Sequence, residues 1–168
     1  MTGPVFSGDG FHIERRVLGT LETNALLVVD AATNRSLVVD AADDGPTIID
    51  MAAGTDVIAV VATHGHWDHV QAVPQVTSEF GVPFLLHPDD RFLVDLESTP
   101  LEPGVIELGK TSIRIVHTPG HTPGSSCLVL EGIAITGDTL FPGGPGATRF
   151  PYSSFDTIID SITTSLFT

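Results

Sequence analysis

The sequence predicts a mixed α/β fold, either a doubly wound sheet or a layered αββα sandwich. Short apolar runs alternate with loop punctuation along the whole chain of 168 residues. Their order is strand-rich at the start, then β-α-β-α, then further strands and a closing helix. We expect one domain over residues 1–168, because this length is typical of a single domain with a sizeable core.

The N-terminal third predicts three strands and a helix. Phe11–Leu18 forms the first strand, and Ala25–Asp30 and Ser36–Asp40 are β-branched runs whose close spacing predicts a hairpin. The run Asp43-Asp44-Gly45-Pro46 indicates the start of a helix that extends to about Ala53, since acidic residues and proline are favourable in a first turn.

The middle of the chain predicts two strands that are buried on both faces. Val57–Ala62 is a continuous apolar run that leads directly into His64, and Val82–Leu86 is a second such run. The helix between them is predicted from Pro74 to Phe80, because proline suits the first turn and glycine follows the last.

The second half of the chain adds shorter elements. A helix is predicted over Pro88–Leu96, and strands are predicted at Ile113–Val116, Ser126–Leu130 and Ile133–Thr136. Apolar residues at 155, 158, 159, 162 and 166 recur with helical spacing. This spacing predicts a final helix over Phe155–Leu166.

Charge and composition exclude several classes of function. Seven basic residues face 21 acidic ones, a formal net charge of −14, and Lys110 is the only lysine. So acidic a surface repels phosphate backbones, and we expect no nucleic-acid partner. No apolar run approaches the ~20 residues that cross a bilayer, so we expect no membrane association. With one cysteine, Cys127, and no basic-then-apolar N-terminal segment, we expect a cytoplasmic protein.

One short segment concentrates metal-binding side chains. Three imidazoles and a carboxylate follow a predicted strand in the run His64-Gly65-His66-Trp67-Asp68-His69. These groups are good ligands for zinc and related ions. In extended or turning backbone, residues two apart point the same way, so His64 and His66 are placed to share one ion. Asp68 and His69 lie further round the turn, in reach of a second ion.

Three motifs in order resemble those of the metallo-β-lactamase superfamily. The run 64–69 resembles the superfamily's signature. Residues 118–125, with His121, resemble its second metal motif, and residues 137–141, with Asp138, resemble its third. The resemblance extends from about Phe11 to the end of the chain, and it implies the four-layer αββα sandwich of that superfamily.

The resemblance also implies a site for up to two metal ions, expected to be zinc, with iron or manganese as alternatives. The implied ligands form two sets: His64, His66 and His121 for the first ion, Asp68 and His69 for the second, and Asp138 shared by both. A hydroxide between the ions is the expected nucleophile, because coordination lowers the pKa of water to about 7. Asp68 is the expected catalytic residue, which orients the hydroxide and passes a proton to the leaving group.

One feature departs from the superfamily's pattern. The family has a further histidine for the second ion, in a Gly-His-Gly-like turn after the helix that is predicted here over 155–166. No histidine follows His121 in this sequence. We therefore expect a domain that is incomplete at its C-terminus, with a second ion that binds weakly or is completed by water or another chain. We also expect an exposed sheet edge that favours a homo-oligomer.

Within the superfamily, residues 118–125 and 137–141 are most similar to those of glyoxalase II-like small hydrolases. This implies a metal-dependent hydrolase that acts on a small-molecule thioester or other ester-like carbonyl. One alternative is an iron-dependent sulfur (persulfide) dioxygenase that uses only His64, His121 and Asp138, a two-histidine-one-carboxylate set. The other is a metal-binding remnant with little activity.

Three further residues near these motifs have weaker interpretations. His87 resembles a common non-ligand position of the family and is expected to be structural. His117 either supports a ligand through a hydrogen bond or packs as a structural residue. Trp67 is expected at the rim of the pocket.

Overall fold

Two β-sheets pack face to face in the computed structural model, which describes residues 4–167. The predicted domain boundaries, residues 1 and 168, lie outside the described residues. The strands of the first sheet lie side by side in chain order: β1 (Phe6–Ser7), β2 (Phe11–Leu18), β3 (Thr23–Asp30), β4 (Arg35–Val39), β5 (Asp56–Val61), β6 (Phe84–Leu86) and β7 (Thr99–Pro100).

The direction of the strands changes within the first sheet. Strands β1 to β4 are antiparallel to their neighbours, whereas β4, β5, β6 and β7 run parallel. Parallel neighbours need crossover connections, and helices supply two of them. The helices of the described chain are α1 (Gly45–Ala52), α2 (Trp67–Val70), α3 (Val73–Phe80) and α4 (Phe155–Ser161).

The second sheet is antiparallel and smaller. Its strands are β8 (Gly104–Leu108), β9 (Thr111–His117), β10 (Ser126–Leu130) and β11 (Ile133–Ile135), in the spatial order β11-β10-β9-β8. Two short strands, β12 (Leu140–Phe141) and β13 (Gly144–Pro145), pair beyond it. In this sheet, β11 therefore pairs on one side only.

Two apolar cores separate the layers. Ile48 of α1 and Val76 of α3 pack with Val60 of β5 in a core on the outer face of the first sheet. A second core lies between the sheets, where Leu37 of β4 meets Leu128 of β10. The layered αββα sandwich is confirmed, and the two faces of β5 explain its continuous apolar sequence.

Most predicted elements are confirmed, and two of them prove clearly shorter than predicted. The strand predicted over Val82–Leu86 begins at Phe84, because the backbone N–H of Val82 still donates to Thr77 O at the end of α3. The helix predicted over Pro88–Leu96 is a 3-10 helix over Pro88–Leu93, which ends where Val94 adopts extended backbone.

The end of the chain also differs from its prediction. The final helix is α-helical only over Phe155–Ser161 and continues as a π-helix over Ile162–Leu166. Strand β8 was not predicted, because four of its five residues are partly or fully exposed and give no apolar run. Among residues 4–167, no helix is both long and apolar enough to span a bilayer.

Candidate metal centre

Strand β5 brings the histidine-rich segment to the edge of the first sheet. The chain leaves β5 at Val61, turns through His64 and His66, and enters α2 at Trp67. Gly65 has a packing role in this turn: a Cβ there would lie 3.0 Å from the carbonyl oxygen of Asp90. Only glycine fits without displacing that backbone.

Three imidazoles converge at this turn. The Nδ1 atom of His66 lies 3.0 Å from Nε2 of His64 and 3.0 Å from Nε2 of His121. His64 and His121 are almost fully buried, with 1% and 2% of their surfaces exposed. A tetrahedral ion with bonds of about 2.0–2.1 Å separates its nitrogen ligands by about 3.3 Å, so a small opening of this group admits one ion. We call these residues the three-histidine group.

A second cluster adjoins the first. The Nε2 atom of His69 lies 3.2 Å from Oδ1 of Asp138 and 3.5 Å from Oδ2 of Asp68. The other oxygen of Asp138, Oδ2, lies 3.5 Å from Nε2 of His121. Asp138 therefore stands between the three-histidine group and this second group, which we define as Asp68, His69 and Asp138.

The three-histidine group favours neutral imidazoles. Burial lowers the pKa of His64 well below its ordinary value, and the neighbouring His69 and His121 lower it further. Burial and His121 likewise lower the pKa of His66, against an opposing effect of Asp68. A neutral imidazole with a free nitrogen lone pair is the form that binds a metal ion.

The second group carries paired charges instead. Burial acts to lower the pKa of His69, but the Asp40 and Asp138 carboxylates outweigh it and raise that pKa to about 10. Burial acts to raise the pKa of Asp138, but its hydrogen bond and charge interaction with His69 lower it overall. A cation that binds here must replace the proton of His69, so it releases that proton to solvent.

Asp40, at the end of β4, orients two of these imidazoles and was missed by the sequence analysis. Its Oδ2 atom accepts from His69 Nδ1 at 2.9 Å and from Thr63 Oγ1 at 2.8 Å. Thr63 Oγ1 in turn lies 3.2 Å from Nδ1 of His64. Asp40 adopts a left-handed backbone with φ 57°, which is uncommon outside glycine. The sequence signal was an aspartate that ends a predicted strand.

Asp90 joins the two loops that carry the three-histidine group, and it was also missed. Its fully buried carboxylate accepts from Gly65 N at 2.8 Å, Thr122 Oγ1 at 2.7 Å and Gly124 N at 2.6 Å. The first of these donors lies beside His64 and the other two beside His121. No local pattern indicates that contact, because Asp90 lies in a segment predicted as an ordinary helix.

Residues 147–154 cross the site between β13 and α4. The Nδ1–H of His121 donates to Ala147 O at 2.6 Å, and Ser153 Oγ donates to the His121 carbonyl at 2.7 Å. The hydroxyl of Tyr152 lies 2.9 Å from Nε2 of His66. In each imidazole of the three-histidine group, the nitrogen that points away from the other two rings, which we call the outer nitrogen, therefore lies next to an oxygen atom.

The donor set fits one or two divalent cations. It combines imidazole nitrogens with carboxylates, as zinc, iron and manganese sites do. Within residues 4–167, three groups have ligand atoms within 4.8 Å of one another: His64, His66 and His121; His64, His69 and Asp138; and, apart from these, His87, Asp89 and His117. With Asp68, which lies 3.5 Å from His69, the first two groups bring together all six residues that the sequence analysis selected.

His87 and His117 pack together rather than beside that cluster. Their rings stack with centroids 4.0 Å apart and an interplanar angle of 12°. The Nε2–H of His117 donates to Pro123 O at 2.8 Å, in the loop that carries His121. This contact favours the packing interpretation of His117. Trp67 is 57% exposed and lines a cavity on the surface, together with Val70.

A cavity of about 520 Å³ opens on the second group. Asp68, His69 and Asp138 form part of its wall, and most of the remainder is apolar, with Leu21, Ile133 and Phe141 among the lining residues. Arg15 is the arginine among the lining residues. A small organic molecule of mixed polarity would fit this space.

The fold and the site together place this protein in a class of αββα proteins that have a histidine-rich centre at the edge of two packed sheets. The family model of the metallo-beta-lactamase superfamily matches residues 18–167, and the chain belongs to this superfamily.

Several curated proteins are similar in sequence. The chain is 35% identical over 131 residues to the hydroxyacylglutathione hydrolase GloC of Haemophilus influenzae, which covers 64% of this chain and 61% of that protein. It is 38% identical over 115 residues to an uncharacterized protein of Aquifex aeolicus, covering 56% of this chain and 54% of that one. The chain thus spans less than two thirds of the length of these relatives.

Solved structures show the same fold. TTHA1623 in a di-iron-bound form is 28% identical, with a TM-score of 0.81 over 91% of this chain and 85% of that one. ETHE1 from Myxococcus xanthus is 24% identical, with a TM-score of 0.79 over 91% of this chain and 69% of that one. The second likeness concerns the fold alone.

Proposed function

We propose that this protein is a metal-dependent hydrolase that acts on a thioester or other ester-like carbonyl of a small molecule. The observation that carries the proposal is the meeting of two ligand groups at Asp138, whose two oxygens face His69 and His121. The similarity to a hydroxyacylglutathione hydrolase supports the thioester as substrate class.

The proposed site holds up to two zinc ions, with iron or manganese as alternatives. We assign the first ion to the three-histidine group and the second to Asp68 and His69, with Asp138 shared. When bound, such ions supply Lewis acidity and a water molecule of lowered pKa. Asp40 and Thr63 hold His69 and His64 with their inner nitrogens facing the site.

Asp68 is the proposed catalytic residue. Its Oδ2 atom accepts a hydrogen bond from Thr23 Oγ1 at 2.9 Å, so the β2–β3 hairpin fixes the orientation of this carboxylate. Asp68 also lines the cavity, where a substrate carbonyl would lie. We propose that it accepts the proton of the attacking water and delivers a proton to the leaving sulfur or oxygen.

The lining of the cavity indicates which chemical groups the proposed substrate carries. Its apolar wall would exclude water from the acyl group, while Arg15 would attract an anionic substituent of the substrate. The acidic surface supports a small molecule rather than nucleic acid as partner, and the single cysteine supports a cytoplasmic location.

Thiol release tests this proposal directly. Purified protein is analysed for metal content by elemental mass spectrometry and then assayed on a panel of glutathione hydroxyacyl thioesters, simple esters and lactones. We expect thiol release in the wild type and at least a hundredfold less in Asp68→Asn, since one positioned proton-transfer group contributes about 10²–10⁴-fold. Full metal content without hydrolysis of any panel member would overturn the proposal.

A persulfide dioxygenase is the second candidate. It would need only His64, His121 and Asp138, and the Asp138 Oδ2 atom lies 3.5 Å from His121 Nε2. The iron-bound state of TTHA1623 supports iron as the metal in that case. Oxygen uptake with glutathione persulfide, retained in Asp68→Asn, would favour this candidate over the hydrolase.

A further inference from the structure

His66 differs from the other imidazoles of the site in the hydrogen-bond partner of its outer nitrogen. His64 and His69 rest on the Thr63–Asp40 pair, which is buried, and His121 donates to a backbone carbonyl. The Nε2 atom of His66 instead lies 2.9 Å from the hydroxyl of Tyr152, a side chain 86 residues further along the chain. His66 is only half-buried, so water competes for this position.

The ring of Tyr152 is held from two sides. It stacks on Phe150 with centroids 5.4 Å apart and an interplanar angle of 8°. Phe92 meets it edge to face at 5.3 Å and 77°. Aromatic pairs of this geometry attract each other. The two ring contacts therefore fix the position of the Tyr152 side chain, and its oxygen takes no part in them.

The hydroxyl of Tyr152 is placed to stabilise one tautomer of His66 over the other. A neutral imidazole carries one N–H, and either nitrogen can bear it. Nδ1 of His66 faces the Nε2 atoms of His64 and His121, where a ligand needs a lone pair. Once an ion occupies the three-histidine group, the proton of His66 must therefore reside on Nε2, where the oxygen of Tyr152 accepts it.

We propose that Tyr152 is a positioning residue whose hydroxyl oxygen accepts the Nε2–H of His66 and thereby presents Nδ1 as a ligand in the three-histidine group. The inference rests on the proposed metal function, and the 2.9 Å contact between the hydroxyl of Tyr152 and Nε2 of His66 carries it. The aromatic contacts of Tyr152 need only its ring, whereas this role needs its oxygen.

Tyr152→Phe removes that single atom and keeps the ring. We expect the affinity for Zn²⁺ or Co²⁺, measured by competition with a chromophoric chelator, to fall about tenfold, because outer hydrogen-bond partners of metal-bound histidines contribute roughly 10–100-fold. In the Zn²⁺-loaded wild type we also expect the Nε2–H proton of His66 to exchange slowly with water in ¹⁵N NMR spectra, and to exchange faster in Tyr152→Phe.

Two further variants separate this role from packing. Phe92→Leu removes the edge-to-face contact but leaves the hydroxyl and the stack on Phe150 that holds the ring, so we expect less than a twofold change in metal affinity. In a His66→Ala background, Tyr152→Phe should have no further effect on affinity, since the bond is already lost.

Unchanged metal affinity and an unchanged exchange rate of the His66 Nε2–H in Tyr152→Phe would overturn the inference and leave the proposed metal centre intact. If the wild type itself bound no metal, the proposed function and this inference would both fail.

Discussion

At the scale of single residues, the candidate site depends on individual imidazole nitrogens of His64 and His121. His64 and His121 each present one buried nitrogen to the three-histidine group, and their outer nitrogens already bond to Thr63 and Ala147. Removing either imidazole leaves two histidines and the shared Asp138 around the first ion, one protein ligand fewer than a closed four-coordinate site.

We therefore expect His64→Ala or His121→Ala to lose activity and metal together. The measurement is metal stoichiometry by elemental mass spectrometry beside the rate of thioester cleavage, with each variant checked for folding by circular dichroism. His87→Ala is the matched control, because His87 stacks on His117 away from the ligand nitrogens. Full metal and full rate in either ligand variant would contradict the assignment of the site.

At the scale of structural elements, hydrogen-bonded carboxylates connect segments that the sheets alone do not join. Asp30, at the end of β3, accepts from Thr33 N and Oγ1 in its own turn and from Lys110 N and Thr111 Oγ1 at the β8–β9 turn. It thereby ties the first sheet to the second. The hydrogen bond from Thr33 is the largest influence that lowers the pKa of Asp30 far below its ordinary value of 3.8.

This shift predicts the pH dependence of stability. Because the pKa is lower in the folded state than in the unfolded state, Asp30 stabilises the fold above about pH 4, and the contribution is lost as the pH falls towards the folded-state pKa. We expect the difference in unfolding free energy between wild type and Asp30→Asn to be largest at pH 7 and to shrink steadily below pH 4. Chemical denaturation across this range measures it, with exposed Asp9→Asn as control; a gap independent of pH would refute the prediction.

Asp90 connects loops rather than sheets. Asp90→Ala would leave Gly65 N, Gly124 N and Thr122 Oγ1 without their buried acceptor. At roughly 1–3 kcal/mol for each unsatisfied donor, we expect the unfolding free energy to fall by about 3 kcal/mol or more.

Urea denaturation of Asp90→Ala beside Asp89→Ala provides the comparison. The neighbouring Asp89 side chain is largely exposed, so its loss should change stability by no more than roughly 0.5 kcal/mol. Similar stability losses in the two variants would show that the Asp90 carboxylate does not hold the loops together.

The sequence predicted those elements whose signal is local. Strands β2 and β10 have the predicted bounds, and the buried run before His64 is β5, because apolar periodicity and adjacent loop residues suffice to define such elements. The partners of the candidate ligands were not predictable in this way. These partners are Asp40, Asp90 and Tyr152, and each is separated in sequence from the residue it contacts by 23 to 86 positions. The residues next to each partner do not indicate which histidine or loop it contacts.

At the scale of the whole molecule, net charge and an open sheet edge act in opposite directions. Strand β11 pairs only with β10 among the described residues, so its other edge presents unpaired backbone groups that favour pairing with a second copy. The net charge of −14 repels that copy. Added salt weakens the repulsion, since the Debye length falls from about 10 Å at 0.1 M to about 3 Å at 1 M.

We therefore predict a monomer at low salt and a growing dimer population as NaCl rises towards about 1 M, where screening is nearly complete. Size-exclusion chromatography with light scattering measures the mass directly. Ala134→Lys places a charge on the exposed side of β11 and should keep the protein monomeric at every salt concentration. Val105→Lys makes the matched change on β8, at the opposite edge of the same sheet, and should leave the dimer unaffected. Dimers that dissociate in Val105→Lys but persist in Ala134→Lys would assign association to the β8 edge. A wild type that stays monomeric at about 1 M NaCl, where repulsion is screened, would refute the prediction.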